Sequence, residues 1–300
     1  MKPPSYATPP VGHRSVGPTK VFLFQAGEAH RDAHTIGSFG EEWGKFNAFD
    51  PAEIERAGNE YFDIVPPALL GPHVVAMDLG CGSGRWTRYL SSRVGHIDAL
   101  DPSEAVFHAA RVHGDLPNVR WSNAGVGEIP FDDATFDLII CLGVLHHVPD
   151  TAGALERLAR KLKPGGHLLL YLYYALDGRG PGFRALFTIT DRLRRMISAL
   201  PGPMKRMACE VIAFAVYLPL QTLARLLRAV GLQGWQRLPL SHYHDKSLTV
   251  LRNDALDRFG TPLEQRFTKD QIAQLMREAG LDQVEFSPSP PYWHALGRRN

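Results

Sequence analysis

The stretch that decides the fold reads His-Val-Val-Ala-Met-Asp-Leu-Gly-Cys-Gly-Ser-Gly-Arg, residues 73–85, with a helix-like run continuing to Leu90. An apolar strand leads into Asp78, and Gly80, Gly82 and Gly84 crowd the turn behind it. A chain leaving a buried parallel strand for a helix must turn sharply. Glycine takes the positive φ that such a turn needs without a Cβ clash. Its missing side chain also lets a ligand lie against the backbone. A second apolar run, His96 to Leu100, ends in Asp101, about twenty residues on. A carboxylate placed there accepts strong hydrogen bonds from ribose hydroxyls.

Spacing separates the nucleoside ligands. A dinucleotide turn has the pattern G-x-G-x-x-G and aims a helix N-terminus at a pyrophosphate. Here the pattern is Gly80-x-Gly82-x-Gly84, followed by Arg85 and Trp86. Asp78 stands just before the glycines. Its charge opposes a pyrophosphate and suits the ammonium of a methionine-type ligand. The competing reading is a glycine-rich turn that binds nothing.

Four stretches carry a resemblance. They are Asp78-Leu-Gly-Cys-Gly-Ser-Gly84; Leu100-Asp-Pro-Ser103; Glu128 to Asp150 (Glu-Ile-Pro-Phe-Asp-Asp-Ala-Thr-Phe-Asp-Leu-Ile-Ile-Cys-Leu-Gly-Val-Leu-His-His-Val-Pro-Asp); and Leu162-Lys-Pro-Gly-Gly-His-Leu-Leu-Leu170. Together they resemble the class I S-adenosylmethionine-dependent methyltransferases, of the type 11 or UbiE-like kind, over residues 70–175. The resemblance implies a Rossmann-like, doubly wound α/β fold. Its sheet would have seven strands, mostly parallel with an antiparallel last strand, and a helical insertion would follow the fifth strand. It implies S-adenosyl-L-methionine as cofactor, held by Asp78, Gly80, Cys81, Gly82, Gly84, Asp101, Pro102, Val126 and Leu142. One departure stands out. The family usually has an acid near the end of the third strand that touches the adenine amino group. Alignment on Ile129-Pro-Phe131 puts Gly125-Val126 there.

Composition sets the class. With 300 residues and 44% hydrophobic content the chain holds a large core. A net charge of +2 argues against nucleic acid as a partner. The Pro-rich, polar start lacks a signal peptide pattern. Cys81, Cys141 and Cys209 have neither metal nor disulfide spacing. These features set the expectation of a cytoplasmic protein.

Residues 1–35, with five prolines, read as a flexible tail. The core begins at 36. Trp43, Phe46 and Phe49 form an aromatic cluster, read either as a latch on the domain or as a face for a sulfonium. Strands are expected over Val74–Asp78, His96–Asp101, Val119–Ser122, Phe136–Leu142 and His167–Tyr173. Helices are expected over Arg85–Ser92, Ser103–His113 and Thr151–Leu162, the last stopped by Pro164-Gly-Gly166. Such alternation gives a parallel sheet whose ligands sit beyond the C-terminal strand ends.

Residues 176–265 read as a helical lid inserted in the core. Residues 266–300 complete the core with a helix capped at Thr268-Lys-Asp-Gln271 and stopped by Gly280, then strands over Gln283–Ser287 and Tyr292–Gly297. Between Leu176 and Leu240 there are ten Arg or Lys and three acids. The apolar run Val211–Leu218, bracketed by Glu210 and Pro219, is too short to span a bilayer. It reads as a buried lid helix or as an interfacial helix that meets a lipid-like substrate.

Methyl transfer needs alignment and exclusion of water, and a base for oxygen or nitrogen acceptors. His146 and His147, after the fourth strand, are candidates for that base; packing is the other reading. Tyr173, the third candidate, ends the fifth strand with Tyr171 on the same face and Tyr174 on the other, and these tyrosines read either as lining of the acceptor pocket or as core packing. No metal spacing is present. His242-Tyr-His-Asp-Lys246 with Arg252-Asn-Asp254 reads as a solvated loop or an acceptor site. The function expected is methyl transfer to a small-molecule acceptor, acidic or lipid-like, with peripheral lipid contact through the lid. Oxygen, nitrogen and carbon acceptors stay open. The alternatives are an NAD(P)-dependent oxidoreductase and a non-catalytic regulatory module that binds the cofactor.

Overall fold

The computed structural model describes residues 2–25, 50–175, 181–289 and 293–300. The expectations placed on Trp43, Phe46, Phe49 and Tyr292 lie outside those residues. The chain divides into two compact units, Met1–Gly178 with Leu263–Asn300, and Arg179–Pro262.

The first unit is built on one sheet. Its strands are β1 (Gly12–Val16), β2 (Thr19–Leu23), β3 (Gly71–Leu79), β4 (Val94–Leu100), β5 (Val119–Asn123), β6 (Phe136–Leu142), β7 (Leu162–Tyr171), β8 (Leu281–Phe286) and β9 (His294–Arg299). The helices, in chain order, are α1 (Pro51–Tyr61), α2 (Arg85–Ser91), α3 (Ala105–Val112), α4 (Thr151–Lys161), α5 (Pro181–Ser198), α6 (Gly202–Ile212), α7 (Leu218–Ala229), α8 (Leu248–Gly260) and α9 (Lys269–Glu278). The strand order is β1-β2-β5-β4-β3-β6-β7-β9-β8. Pairing is parallel from β2 through β7, and β9 runs antiparallel to β7 and β8.

Both faces of the sheet are covered, as a parallel sheet requires. Met77 and Leu79 of β3 pack with Ile139 of β6, Leu155 and Leu158 of α4, and Ile272 and Met276 of α9. Their neighbour Ala76 joins Leu138 and Ile140 of β6 on the opposite face, under Ile54 of α1 and Trp86 and Leu90 of α2. Period-two alternation thus assigns each strand residue to one helical layer. The architecture is the expected Rossmann-like α/β sheet, and it aligns the C-terminal ends of β3 to β7 along one rim.

The sheet has nine strands among the described residues, not seven, because the expected N-terminal tail is partly ordered into it. β1 and β2 form a hairpin across Gly17-Pro18, with Gly17 at φ +60°. Pro18 therefore sits in the turn, where its missing N–H costs no ladder bond. Val21 pairs with Trp121 of β5 and is fully buried. Tyr6 packs edge-on against Phe22 and Phe24, and its hydroxyl meets Ser122 Oγ at 2.9 Å.

Pro164-Gly165-Gly166 is not the helix stop either. α4 already ends at Lys161, and Leu162 opens β7 opposite Phe136, so the turn-like residues form an irregular strand start where the register shifts. The capping box at Thr268 and Gln271 is present, and Gly280 follows α9 at φ +84°.

In the second unit, Glu210 and Pro219 do not end the helix that holds the apolar run, so the expectation of a segment too short to span a bilayer fails. The helix is continuous from Gly202 to Ala229 through a π-helical turn at Ala213–Tyr217. That wider turn carries the chain past Pro219, which has no N–H to donate. By length and composition alone this helix would suffice to cross a bilayer. The run is not wholly buried. Ala213 and Tyr217 pack with Tyr243, Leu251 and Ala255, whereas Met207 and Phe214 are 65% and 48% exposed. In the polar cluster His242 and Asp245 are exposed, whereas Tyr243 is buried. Asp254 accepts from the hydroxyl of Tyr243 and pairs with Arg258 at 2.7 Å, and Arg252 is bidentate on Glu210.

Candidate functional site at the rim of the sheet

The glycine turn and Asp101 are brought together. Gly82 N–H donates to Asp101 Oδ2 at 3.0 Å. The other carboxylate oxygen, Oδ1, accepts from Ser103 N–H at 2.9 Å and from Ser103 Oγ at 2.6 Å. The turn is tied to β4 a second time, because Gly80 and Cys81 N–H both donate to Leu100 O. Glycine is required at two of its positions by close approach. A Cβ at Gly80, which sits at φ +74°, would meet Val144 Cγ2 at 2.4 Å. A Cβ at Gly84, at φ +78°, would meet His113 Cδ2 at 2.8 Å and Ala109 Cβ at 3.1 Å. Val144 follows β6 and Ala109 is in α3, so the turn is packed between two neighbouring connections.

Cys81 contributes backbone to the turn; its side chain packs with Phe107 and Trp121, and burial holds its thiol protonated. Leu142 packs in the apolar layer at the end of β6, and Pro102 directly follows Asp101.

Asp78 has a partner that sequence reasoning missed. It is buried and accepts from Thr87 Oγ1 at 2.6 Å, one turn into α2. Burial, against the Thr87 bonds and with a contribution from Asp101, pushes its carboxyl up to about 7. Burial also raises Asp101, against the hydrogen bonds from Ser103 and Gly82. Burial makes the negative charge of both carboxylates costly, a cost that a cationic ligand would offset.

At the end of β5 the chain makes a short loop, Ala124–Glu128. Ala124 and Val126 are buried in the layer that holds Phe24 and Phe131. Gly125 N–H donates to Glu128 Oε2 at 3.2 Å, so the side chain of Glu128 folds back over the position where the acid is missing.

The end of β6 holds the histidine pair on a 3-10 turn, Leu145–His147. His146 is fully buried, and neither ring nitrogen has a hydrogen-bond partner among the described residues. Its ring stacks on Tyr173 with centroids 3.9 Å apart. Burial first, then His147 and Arg266, hold its pKa well below the usual histidine range. His147 Nδ1 lies 2.6 Å from Leu263 O, as a donor to that carbonyl. A return segment, Leu263–Phe267, is laid across both histidines: Gln265 N–H donates to His146 O and Phe267 N–H to Tyr173 O, each at 2.9 Å. Arg266 lies over the Tyr173 ring, 5.3 Å from its centroid. This clamp was not foreseen. Tyr171 and Tyr173 meet edge-on at 6.0 Å, and Tyr174 meets Trp293. No cluster of metal-ligating groups exists among the described residues.

Residues 77–170 match the family described as a methyltransferase domain. The ubiquinone biosynthesis O-methyltransferase of Marinobacter nauticus is 33% identical over 100 residues, 32% of this chain and 42% of that one. An uncharacterized methyltransferase of Mycobacterium tuberculosis is 31% identical over 117 residues, 38% of this chain and 59% of that one. The chain therefore spans two to three fifths of the length of these relatives. The structure of human N-acetylserotonin methyltransferase in complex with SAM aligns with a TM-score of 0.49 and 18% identity, over 87% of this chain and 56% of that one.

The residues present fit the family's cofactor. Ser83 Oγ is buried in the glycine turn without a hydrogen-bond partner among the described residues. It is a polar atom suited to the amino-acid end of the ligand. The Asp101 carboxylate beside the turn is an acceptor suited to ribose hydroxyls, and Asp78 is an acid suited to an ammonium group. With this turn, this acid and the family match over the same strands, residues 77–170 are a class I S-adenosylmethionine-dependent methyltransferase domain, with S-adenosyl-L-methionine as cofactor.

Proposed function

We propose that the chain is an enzyme that transfers the methyl group of S-adenosyl-L-methionine to a small-molecule acceptor, acidic or lipid-like in character. The observation that carries this reading is the direct hydrogen bond between Gly82 and Asp101, which makes the turn and the ribose acid one site. Asp78, Gly80, Cys81, Gly82, Gly84 and Asp101 hold the nucleoside and amino-acid parts, Pro102 and Val126 flank the base, and Leu142 closes the apolar side. The bound cofactor supplies an activated methyl group on a sulfonium. The protein's part is to orient it, exclude water and move a proton.

In this proposal His146 is the proton acceptor. Its imidazole is neutral at physiological pH, and its nitrogens are uncommitted among the described residues. Tyr173 and His147 fix its ring. Because His146 is fully buried, the acceptor must displace part of the Leu263–Phe267 segment to reach it. Substitution His146→Ala should lower kcat by roughly 100-fold, in the range of general base catalysis, and leave cofactor affinity unchanged. The wild-type rate should show no titration near the ordinary histidine pKa. A rate that falls through that pH range and is insensitive to His146→Ala removes the assignment.

The direct test incubates purified protein with labelled S-adenosyl-L-methionine and metabolite or lipid extracts, and looks by mass spectrometry for a compound heavier by one CH₂. Saturable cofactor binding with no product in any extract favours the regulatory module. NAD binding without S-adenosylmethionine binding favours the oxidoreductase.

The lipid side of the reading rests on the second unit. Met204, Met207, Val211 and Phe214 recur at helical spacing on an exposed stripe of Gly202–Ala229, and Arg225 and Arg228 follow on the same helix. Substitution of Met207 and Phe214 by Glu should abolish cosedimentation with anionic vesicles. Equal recovery of wild type and variant with the vesicles contradicts peripheral lipid contact.

A further inference from the structure

The first residues of a domain are poorly ordered unless something ties them down. Here the ties all end on β5 and the loop behind it. Strand β2 pairs with the end of β5, Phe22 with Ser122 and Leu23 with Asn123. Phe24 N–H donates to Asn123 O at 3.4 Å, and Ala7 N–H to Pro130 O at 2.9 Å. The Tyr6 ring, whose hydroxyl meets Ser122 Oγ, packs on Phe24 and Phe131 with centroids 4.9 and 5.2 Å away. Arg120 of β5 lies over Tyr6, 4.1 Å from its centroid, and donates to Pro4 O at 2.8 Å. The fully buried Asp98 accepts from Arg120 Nε at 2.6 Å and fixes the guanidinium there.

The residues gripped in this way hold Asp101. Ser122 O accepts from Asp101 N–H at 3.2 Å. Asn123 Nδ2 donates to Asp101 O at 3.0 Å and to Ser103 O at 3.2 Å. Phe24 is also buried with Ala124 and Val126, the start of the Ala124–Glu128 loop. We propose that residues Pro4–Phe24 form a strap that presets the cofactor site, with Tyr6 and Phe24 as positioning residues for Asp101 and that loop. The inference rests on the reading of Asp101 as the ribose ligand. A site competent only with its strap docked loses affinity in proportion to the undocked fraction. By linkage, a bound nucleoside must tighten the docking by the factor through which docking tightens the nucleoside.

Hydrogen exchange in the full chain reads that reciprocity without a substitution. Saturating S-adenosylhomocysteine should slow exchange of the Ala7 and Phe24 amides by about tenfold. Calorimetry then separates positioning from general loosening. Tyr6→Ala should weaken S-adenosylhomocysteine by about tenfold, and methylthioadenosine, which lacks the amino-acid end, by the same factor. Tyr6→Phe keeps the ring packing, loses only the bond to Ser122, and should weaken both by roughly threefold. Loosening that reaches the glycine turn would weaken S-adenosylhomocysteine more than methylthioadenosine. That pattern, unchanged affinities in both variants, or amides of Ala7 and Phe24 indifferent to the ligand would overturn the strap and leave the cofactor reading intact. Failure of wild type to bind S-adenosylhomocysteine overturns the cofactor reading, and this inference with it.

Discussion

The two ends of the rim are built differently. Around the glycine turn, strand ends and carboxylates are tied by short bonds: Gly82 to Asp101, Ser103 to Asp101, Thr87 to Asp78, and Gly80 and Cys81 to Leu100. Around the histidine pair the backbone is fixed equally well, but the ring of His146 has no hydrogen bond among the described residues. The first region is arranged in advance of any ligand. The second keeps a buried polar group in reserve, which costs stability on the order of 1–3 kcal/mol. Under the proposed function, preorganisation on the cofactor side and an uncommitted base on the acceptor side are what transfer between two bound molecules requires.

The contrast can be broken first at Asp101. Substitution Asp101→Ala removes charge-assisted acceptors for the ribose and the tie to Gly82. Affinity for S-adenosylmethionine should fall by about 100-fold or more, since each 1.4 kcal/mol is tenfold and such bonds contribute about 1.5–3 kcal/mol. Unchanged affinity in calorimetry would remove the ribose assignment.

Stability should respond most at Gly80. A Cβ there is both strained at φ +74° and 2.4 Å from Val144 Cγ2. Gly80→Ala should cost about 2–4 kcal/mol by denaturant unfolding, from overpacking and positive φ together. Adding Val144→Ala should recover the packing part only. A Gly80→Ala protein as stable as wild type would mean that the turn is not held as described.

A smaller effect, read through pH, belongs to Asp78. Its folded pKa, about 7, is above the ordinary 3.8. Between these values the unfolded chain has released a proton that the folded chain keeps, so stability falls as pH rises from roughly 4 to 7 and then levels. At about 1.4 kcal/mol per pKa unit the ceiling is roughly 4 kcal/mol. Asp78→Asn removes this dependence while its amide oxygen still accepts from Thr87. Its stability relative to wild type should rise through that window. Parallel pH curves would contradict the burial of the carboxyl.

The parts legible in the sequence share one property: their physical cause is local. Glycines at 80, 82 and 84 announce a tight turn, the apolar run Phe136–Leu142 announces a buried strand, and Thr268 with Gln271 announces a cap. The parts that escaped depend on distant partners. β1 is polar and proline-flanked, and Val21 becomes a core residue only because Trp121 is beside it. The clamp on the histidines comes from Leu263, Gln265 and Phe267, more than a hundred residues after His146 in the sequence. Thr87 looked like any helical residue until the turn brought it under Asp78. Gly125 is plain in the sequence, but the folding back of Glu128 over it depends on the loop closure between the two.

The central claim is that the glycine turn and Asp101 hold one nucleoside. A crystal structure of the complex with S-adenosylhomocysteine tests it most directly. The account predicts the ribose hydroxyls within hydrogen-bonding distance of the Asp101 carboxylate and the amino-acid end against Gly80–Ser83. A nucleoside bound away from Asp101, or with its ribose turned from that carboxylate, would contradict it.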